Sequence, residues 1–191
     1  MTINTENTRA DSELIRDFKN GNIKGFNEIV SKYQKQVYWV VRKMVQDHDE
    51  ADDITQEVFI KVYDALKEFR EESGLFTWLY RIAVNYSINH IRKKKVKNTL
   101  SLEMVTETIK TEALHGESFD EERKRMVLQE AIGTLPSQQK AVFNLRYYEE
   151  LPYEEISRIM NRSVGGVKAN YFHAVKKIGE YFKNKLGAEN V

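Results

Sequence analysis

Cysteine is absent from the 191-residue chain. Its absence removes a disulfide scaffold, thiolate metal ligands and a cysteine nucleophile from consideration, and it suits a reducing cytoplasm. Proline occurs twice and glycine nine times, too sparse for a turn-rich all-β fold and in keeping with long helices. No apolar run approaches the roughly 18 residues of a membrane span. Residues 1–10 are polar, so neither direct membrane insertion nor a secretory signal is expected. Catalytic signatures are equally scarce. His48, His90, His115 and His173 stand apart, none at metal-ligand spacing with another, and there is no G-x-G-x-x-G, phosphate loop or serine elbow. These absences point to a protein that is not an enzyme, with no cofactor, no metal and no small-molecule substrate.

A net charge of +1 conceals what is present, because the charges are segregated. Asp47, Asp49, Glu50, Asp52, Asp53 and Glu57 fall in a window without Lys or Arg. Residues 81–97 reverse this, with Arg81, Arg92, Lys93, Lys94, Lys95 and Lys97 and no acid. A second basic region near the C-terminus holds Arg158, Arg162, Lys168, Lys176, Lys177, Lys183 and Lys185 against Glu180. One acidic and two basic patches suit two kinds of partner.

Apolar residues recur at three- and four-residue steps over residues 11–95, which predicts helix throughout, with stops at Gly21-Asn22 and at residues 71–74. Residues 96–121 are rich in Thr, Ser and Glu and read as a flexible linker. Helical periodicity resumes over 122–186. There, a short helix ending at Met160, a turn at Asn161-Arg162-Ser163 and a longer basic helix from Val164 have the arithmetic of a helix-turn-helix. The expected fold is all-α, two small helical domains joined by a linker, the second a helix-turn-helix.

The segment Phe76-Thr77-Trp78-Leu79-Tyr80-Arg81 stands just upstream of Arg92 and the lysine run. Aromatics beside a cationic track can stack unpaired bases while the cations hold phosphates. A break before this segment supplies a loop that can pocket an extruded base. Core packing competes for the same side chains, and Trp78, Leu79 and Ile82 are expected to be partly or mainly core. In the acidic window, Asp53, Gln56 and Glu57 flank Ile54 and Phe59 as a docking face for a protein. Carboxylates there also suit a helix start, and a Mg²⁺ site is disfavoured for want of a nucleotide-binding loop. A stand-alone helix-turn-helix regulator using only residues 122–186 is the main alternative, and it leaves the acidic and aromatic segments unexplained.

These residues resemble the extracytoplasmic-function sigma factors of bacteria, two-domain specificity subunits of RNA polymerase. The acidic-Gln-Glu-aromatic motif of that family is matched by Asp53-Ile54-Thr55-Gln56-Glu57-Val58-Phe59, and its promoter-melting motif by residues 76–85. The second-domain signature is matched by Leu135-Pro136, Tyr153-Glu154-Glu155-Ile156, and Ser163-Val164-Gly165 with Val167-Lys168. The resemblance implies that residues 11–95 dock on the β′ clamp helices of core RNA polymerase through Asp53, Gln56, Glu57 and Phe59. It implies contacts to −10 promoter DNA by Phe69, Arg70, Ser73, Phe76, Trp78, Tyr80, Asn85, Asn89, Arg92 and Lys93. Residues 122–186 are implied to meet the β flap and to read the −35 element with Arg162, Ser163, Val164, Gly166, Lys168, Asn170, His173, Lys176 and Lys177. An anti-sigma factor, often membrane-tethered, is the further partner implied, for a protein that is otherwise cytoplasmic. The chain departs from the family pattern in its recognition helix, where Gly166, Asn170, His173 and Val175 replace the usual Thr and several Arg. An altered −35 preference is the expected consequence, with Lys168 and Asn170 as remaining readers.

Overall fold

The computed structural model describes residues 9–100 and 119–187, and these form eight helices with no strand among them. They are α1 (Asp11–Lys19), α2 (Ile23–Val45), α3 (His48–Leu66), α4 (Leu75–Leu100), α5 (Phe119–Thr134), α6 (Ser137–Tyr147), α7 (Tyr153–Met160) and α8 (Val164–Gly187). Local chemistry explains the boundaries. Gly21 takes φ 88° between α1 and α2, and Asn22 caps α2 by accepting from the Lys24 amide at 3.1 Å. Asp47 caps α3 by accepting from the Glu50 amide at 2.8 Å. Asn161 ends α7 in the left-handed region at φ 50°, which its short polar side chain tolerates. The basic run of α4 carries helix on to Leu100, five residues beyond the boundary expected at 95, since lysine is a good helix former. The other end of the expected linker is helical too, because α5 begins at Phe119; residues 101–118, the rest of it, lie outside the described residues.

Helices α1 to α4 enclose one core, including Leu14, Phe18, Ile29, Val37, Val58, Leu66 and Leu79. Its tightest point is Gly25, where α2 crosses α1. A Cβ there would lie 2.4 Å from the Leu14 carbonyl oxygen and 3.0 Å from the Phe18 nitrogen, backbone atoms that cannot turn aside. Gly25→Ala is therefore expected to destabilise the protein by roughly 1–3 kcal/mol, although alanine is the better helix former. A lowered urea midpoint with an unchanged slope would register it. A smaller core of Ala131, Ile132, Leu135, Phe143, Ala174 and Ile178 joins α5, α6 and α8.

A third cluster belongs to both halves. Val40 and Met44 of α2 with Tyr80, Val84 and Ile88 of α4 pack on Ala141, Val142 and Leu145 of α6, Ile156 and Ile159 of α7 and Val167 of α8. The two domains are thus closed on each other. Polar links ring the contact: Lys43 Nζ pairs with Glu149 at 2.7 Å, Asn144 Nδ2 donates to the Lys43 carbonyl at 2.9 Å, and Gln46 Nε2 donates to the Gln129 carbonyl at 2.9 Å.

Candidate nucleic-acid and partner interfaces

On α3, Asp53, Gln56 and Glu57 are exposed and share one face at three- and four-residue spacing. The acidic window is divided: Glu50 turns to α4, where it pairs with Lys94 at 2.9 Å and lies 3.2 Å from His90 Nε2, so it anchors the basic helix. Phe59 is only 9% exposed and forms the floor of a groove of about 680 Å³ between α2 and α3. Phe26, Val30, Ile60 and Tyr63 line the groove and Gln56 stands at its edge. Ile60 is 64% exposed. Sequence reasoning passed over Ile60 and Tyr63, although both stand off the buried stripe of Ile54, Val58, Val62 and Leu66, which was the available signal.

The residues expected at the −10 element fall into two groups. Asn85, Asn89 and Arg92 form an exposed stripe along α4, with Lys93 exposed beside it; Arg70 is exposed and Ser73 half-buried in the preceding loop. The aromatics are packed. Phe69 is buried with its ring 4.8 Å from that of Trp78, itself half-buried, and the Phe69 carbonyl accepts from Lys19 Nζ at 2.6 Å. In the closed form Phe69 is therefore packed, its ring against Trp78 and its carbonyl against Lys19. The Phe76 and Tyr80 rings lie 4.1 Å apart, as their spacing predicts, but face the second domain. Tyr80 is 1% exposed, and its hydroxyl donates to Glu149 at 3.3 Å. Burial first, and then the Glu149 charge, push the Tyr80 pKa well above its ordinary value, so the phenol stays neutral. Around this pair the Thr77 hydroxyl bonds Glu155, and the Arg81 guanidinium donates to the Arg158 carbonyl at 2.9 Å. In the closed body, α7 and the loop before it cover the aromatic face.

The second basic region is arranged on α8. Ser163 caps the helix, its hydroxyl accepting from the Gly166 amide at 3.2 Å. Arg162, Lys168, His173, Lys176 and Lys177 are exposed, whereas Val164, Gly166 and Asn170 are half-buried. Lys168 Nζ sits 5.6 Å above the Tyr153 ring. The Asn170 amide donates to the Gly166 carbonyl at 2.8 Å, which turns its nitrogen back along the helix. Phe172 and Val175, 64% and 45% exposed, are the large apolar side chains on the outer face, and Phe172 was not among the expected readers. No helix among the described residues is long and apolar enough to cross a membrane.

Comparison with known proteins places these surfaces in a family context. The sigma-70 region 2 profile matches residues 29–96, the stretch holding the α3 face and the α4 stripe, and the sigma-70 region 4 profile matches residues 125–178, which hold α6, α7 and most of α8. An RNA polymerase sigma-H factor of Pseudomonas aeruginosa is 32% identical over 176 residues, covering 88% of this chain and 91% of that one. An ECF RNA polymerase sigma-E factor of Haemophilus influenzae is 34% identical over 186 residues, covering 93% and 95%. Among solved structures, the sigma factor RpoE of Bartonella quintana, in complex with the anti-sigma factor NepR, shares the fold at a TM-score of 0.68 and 21% identity, over 84% of this chain and 98% of that one. CnrH, in complex with the cytosolic domain of CnrY, does so at 0.66 and 19%, over 92% and 99%.

Proposed function

Because this chain belongs to the extracytoplasmic-function branch of the sigma-70 family, and so directs promoter-specific transcription initiation by RNA polymerase, we propose that it docks on the polymerase in the closed form and opens there. The dock is the α3 face of Asp53, Gln56 and Glu57 together with the groove of Phe59, Ile60 and Tyr63, and its occupant is the pair of β′ clamp helices. The observation that carries this order is a contrast in exposure. Asp53, Gln56, Glu57 and Ile60 are exposed in the closed body, whereas Tyr80 is covered by the second domain. Polymerase can therefore be met first, and bases stacked only after the domains part.

Dimensions support opening. A −10 and a −35 element lie about 25 base pairs apart, a span of about 85 Å at 3.4 Å per pair. A compact chain of this length has a radius of gyration of ~16 Å and so a diameter of about 40 Å. A closed body cannot touch both elements. Once open, Phe76 and Tyr80 become available for stacking, Asn85, Asn89 and Arg92 for the −10 strand, and α8 for the −35 duplex, with the second domain against the β flap. An anti-sigma factor is the further partner we assign, acting by covering these surfaces. We place the protein in the bacterial cytoplasm, held near a membrane only through such a partner, and give it no chemistry of its own.

Run-off transcription with purified core polymerase on a randomised promoter library, with and without the protein, tests the reading. New sequence-selective initiation supports it; no initiation and no complex with core would sink it. The dock has its own test. Both Glu57 and Ile60 point outward, so Glu57→Lys with Ile60→Asp is expected to leave the fold intact and weaken binding to core polymerase by roughly 30-fold or more, the effect of losing an interface hot spot. Unchanged affinity in a competition assay would move the dock elsewhere.

A further inference from the structure

We propose that the outer face of α8 reads thymine methyl groups, with Phe172 as the principal contact and Val175 as the second, so that the −35 element of this sigma factor is A·T-rich where α8 enters the major groove. The inference rests on α7 and α8 being the −35 reader, and names the bases that reader takes.

Phe172 is 64% exposed on a helix whose inner side is closed by Val167, Ala174 and Ile178. At about 100° per residue it stands some 140° from the centre of that buried stripe, so it has not slipped from the edge of the core. Lys168 and Lys176 lie one turn to either side of it, and both are exposed. An exposed aromatic ringed by cations suits a polyanion that has apolar groups on its surface. Duplex DNA presents one such group in the major groove, the C5-methyl of thymine.

Two further observations favour this occupant. Gly165 and Gly179 share the Phe172 face, and a Cβ at either would meet nothing within 4 Å. Packing does not require glycine at these positions, and glycine costs helix stability. Their small size, with that of Ala169, keeps the surface low around the ring and lets the helix lie close to base edges. Residues 163–187 also contain no arginine, the usual bidentate partner of guanine. Asn170, the candidate for adenine, lies about 160° around the helix from Phe172, with its amide nitrogen already bonded to the Gly166 carbonyl. With no arginine on α8 and the Asn170 amide nitrogen turned away, Phe172 and Val175 add a methyl-reading surface beside the exposed Lys168 and His173.

The experiment uses the full chain with core polymerase and a promoter selected from the randomised library. Each −35 thymine is replaced in turn by deoxyuridine, which removes the methyl group and keeps the base pair. At one or two positions the wild-type protein is expected to lose initiation by about fourfold per methyl. Phe172→Ala should initiate less well on the thymine template and show no further loss with deoxyuridine, while Phe172→Leu keeps part of the sensitivity. Thermal unfolding of both variants checks that the exposed substitutions leave the fold unchanged. A G·C-rich −35 selection, or a deoxyuridine effect that persists in Phe172→Ala, would overturn the inference. So would a Phe172→Ala defect in binding core polymerase without promoter, which would make the ring a protein contact. No initiation from any template would instead count against the sigma-factor reading itself, so the two failures are distinguishable.

Discussion

Joining position 77 to position 155 through a short, reducible bismaleimide is expected to abolish promoter-dependent initiation, and reduction to restore it. The Thr77 hydroxyl and the Glu155 carboxylate are bonded across the closed contact, so thiols at these two positions, set apart by the shorter cysteine side chains, lie within the span of a short linker while the domains stay closed. Since the chain has no cysteine, Thr77→Cys with Glu155→Cys supplies the only pair able to react. The link would hold α7 over Phe76 and Tyr80 and keep the two promoter-reading surfaces within one body of about 40 Å diameter, half the distance they must span. We expect a loss of at least about 100-fold, since residual activity would come only from unlinked molecules. Binding to core polymerase should survive, because Asp53, Gln56, Glu57 and Ile60 are exposed in the closed form. The unlinked double variant provides the control: it removes one interdomain hydrogen bond, worth about 1 kcal/mol, and is expected to initiate at least as well as the parent chain. Initiation by the linked protein from a promoter carrying both elements would show that opening is not required.

Much of the architecture was legible because local signals agreed. Asn161 lies in the turn that the sequence places after Met160, and it sits at φ 50° between α7 and α8. The Phe76 and Tyr80 pairing followed from a four-residue spacing. The domain contact was not read, yet its signal was present. Helix α4 carries two apolar stripes, Leu75, Leu79 and Ala83 on one side and Tyr80, Val84 and Ile88 on the other. A helix that is apolar on two faces must be covered twice. Periodicity reports that a second cover exists, but it cannot say whether DNA, polymerase or the other half of the chain supplies it. Phe69 is a related case: a loop aromatic beside a basic helix looks exposed in sequence, and only the contacts with Trp78 and Lys19 show that it is buried in the closed form. Phe172 carries no signal in sequence, where an aromatic on an amphipathic helix reads as core, and only its 64% exposure marks it out.

The closed contact should also tighten with rising pH, and Lys140 is the reason. It is 5% exposed, inside the seam between α6 and the end of α2, with its ammonium 3.4 Å from the Met44 carbonyl and 3.5 Å from Gln46 Oε1. No carboxylate pairs with it among the described residues, and burial pushes its pKa down to about 8. Nearby, Asn144 Oδ1 is buried without a partner, so this part of the seam is imperfectly satisfied. When the domains part, Lys140 returns to water and to an ordinary lysine pKa near 10.5. A group whose pKa is lower in the closed form penalises closure fully below the lower value, and the penalty fades as pH climbs from about 8 towards 10.5. The full penalty is about 3 kcal/mol, and between pH 7 and pH 9 the closing constant should rise about tenfold. Tyr80, the phenol buried in the same seam, stays neutral over this range because its own pKa is pushed up. Lys140→Met keeps the length of the side chain and removes the charge. It is expected to close more tightly at pH 7, to lose the pH dependence, and to initiate less well with core polymerase. Energy transfer between dyes on Lys61→Cys and Lys183→Cys, two exposed positions on opposite domains, reads the closing constant directly. A tenfold rise that persists in Lys140→Met would assign the titration to another group, and a flat wild-type profile would mean that the seam opens without regard to this lysine.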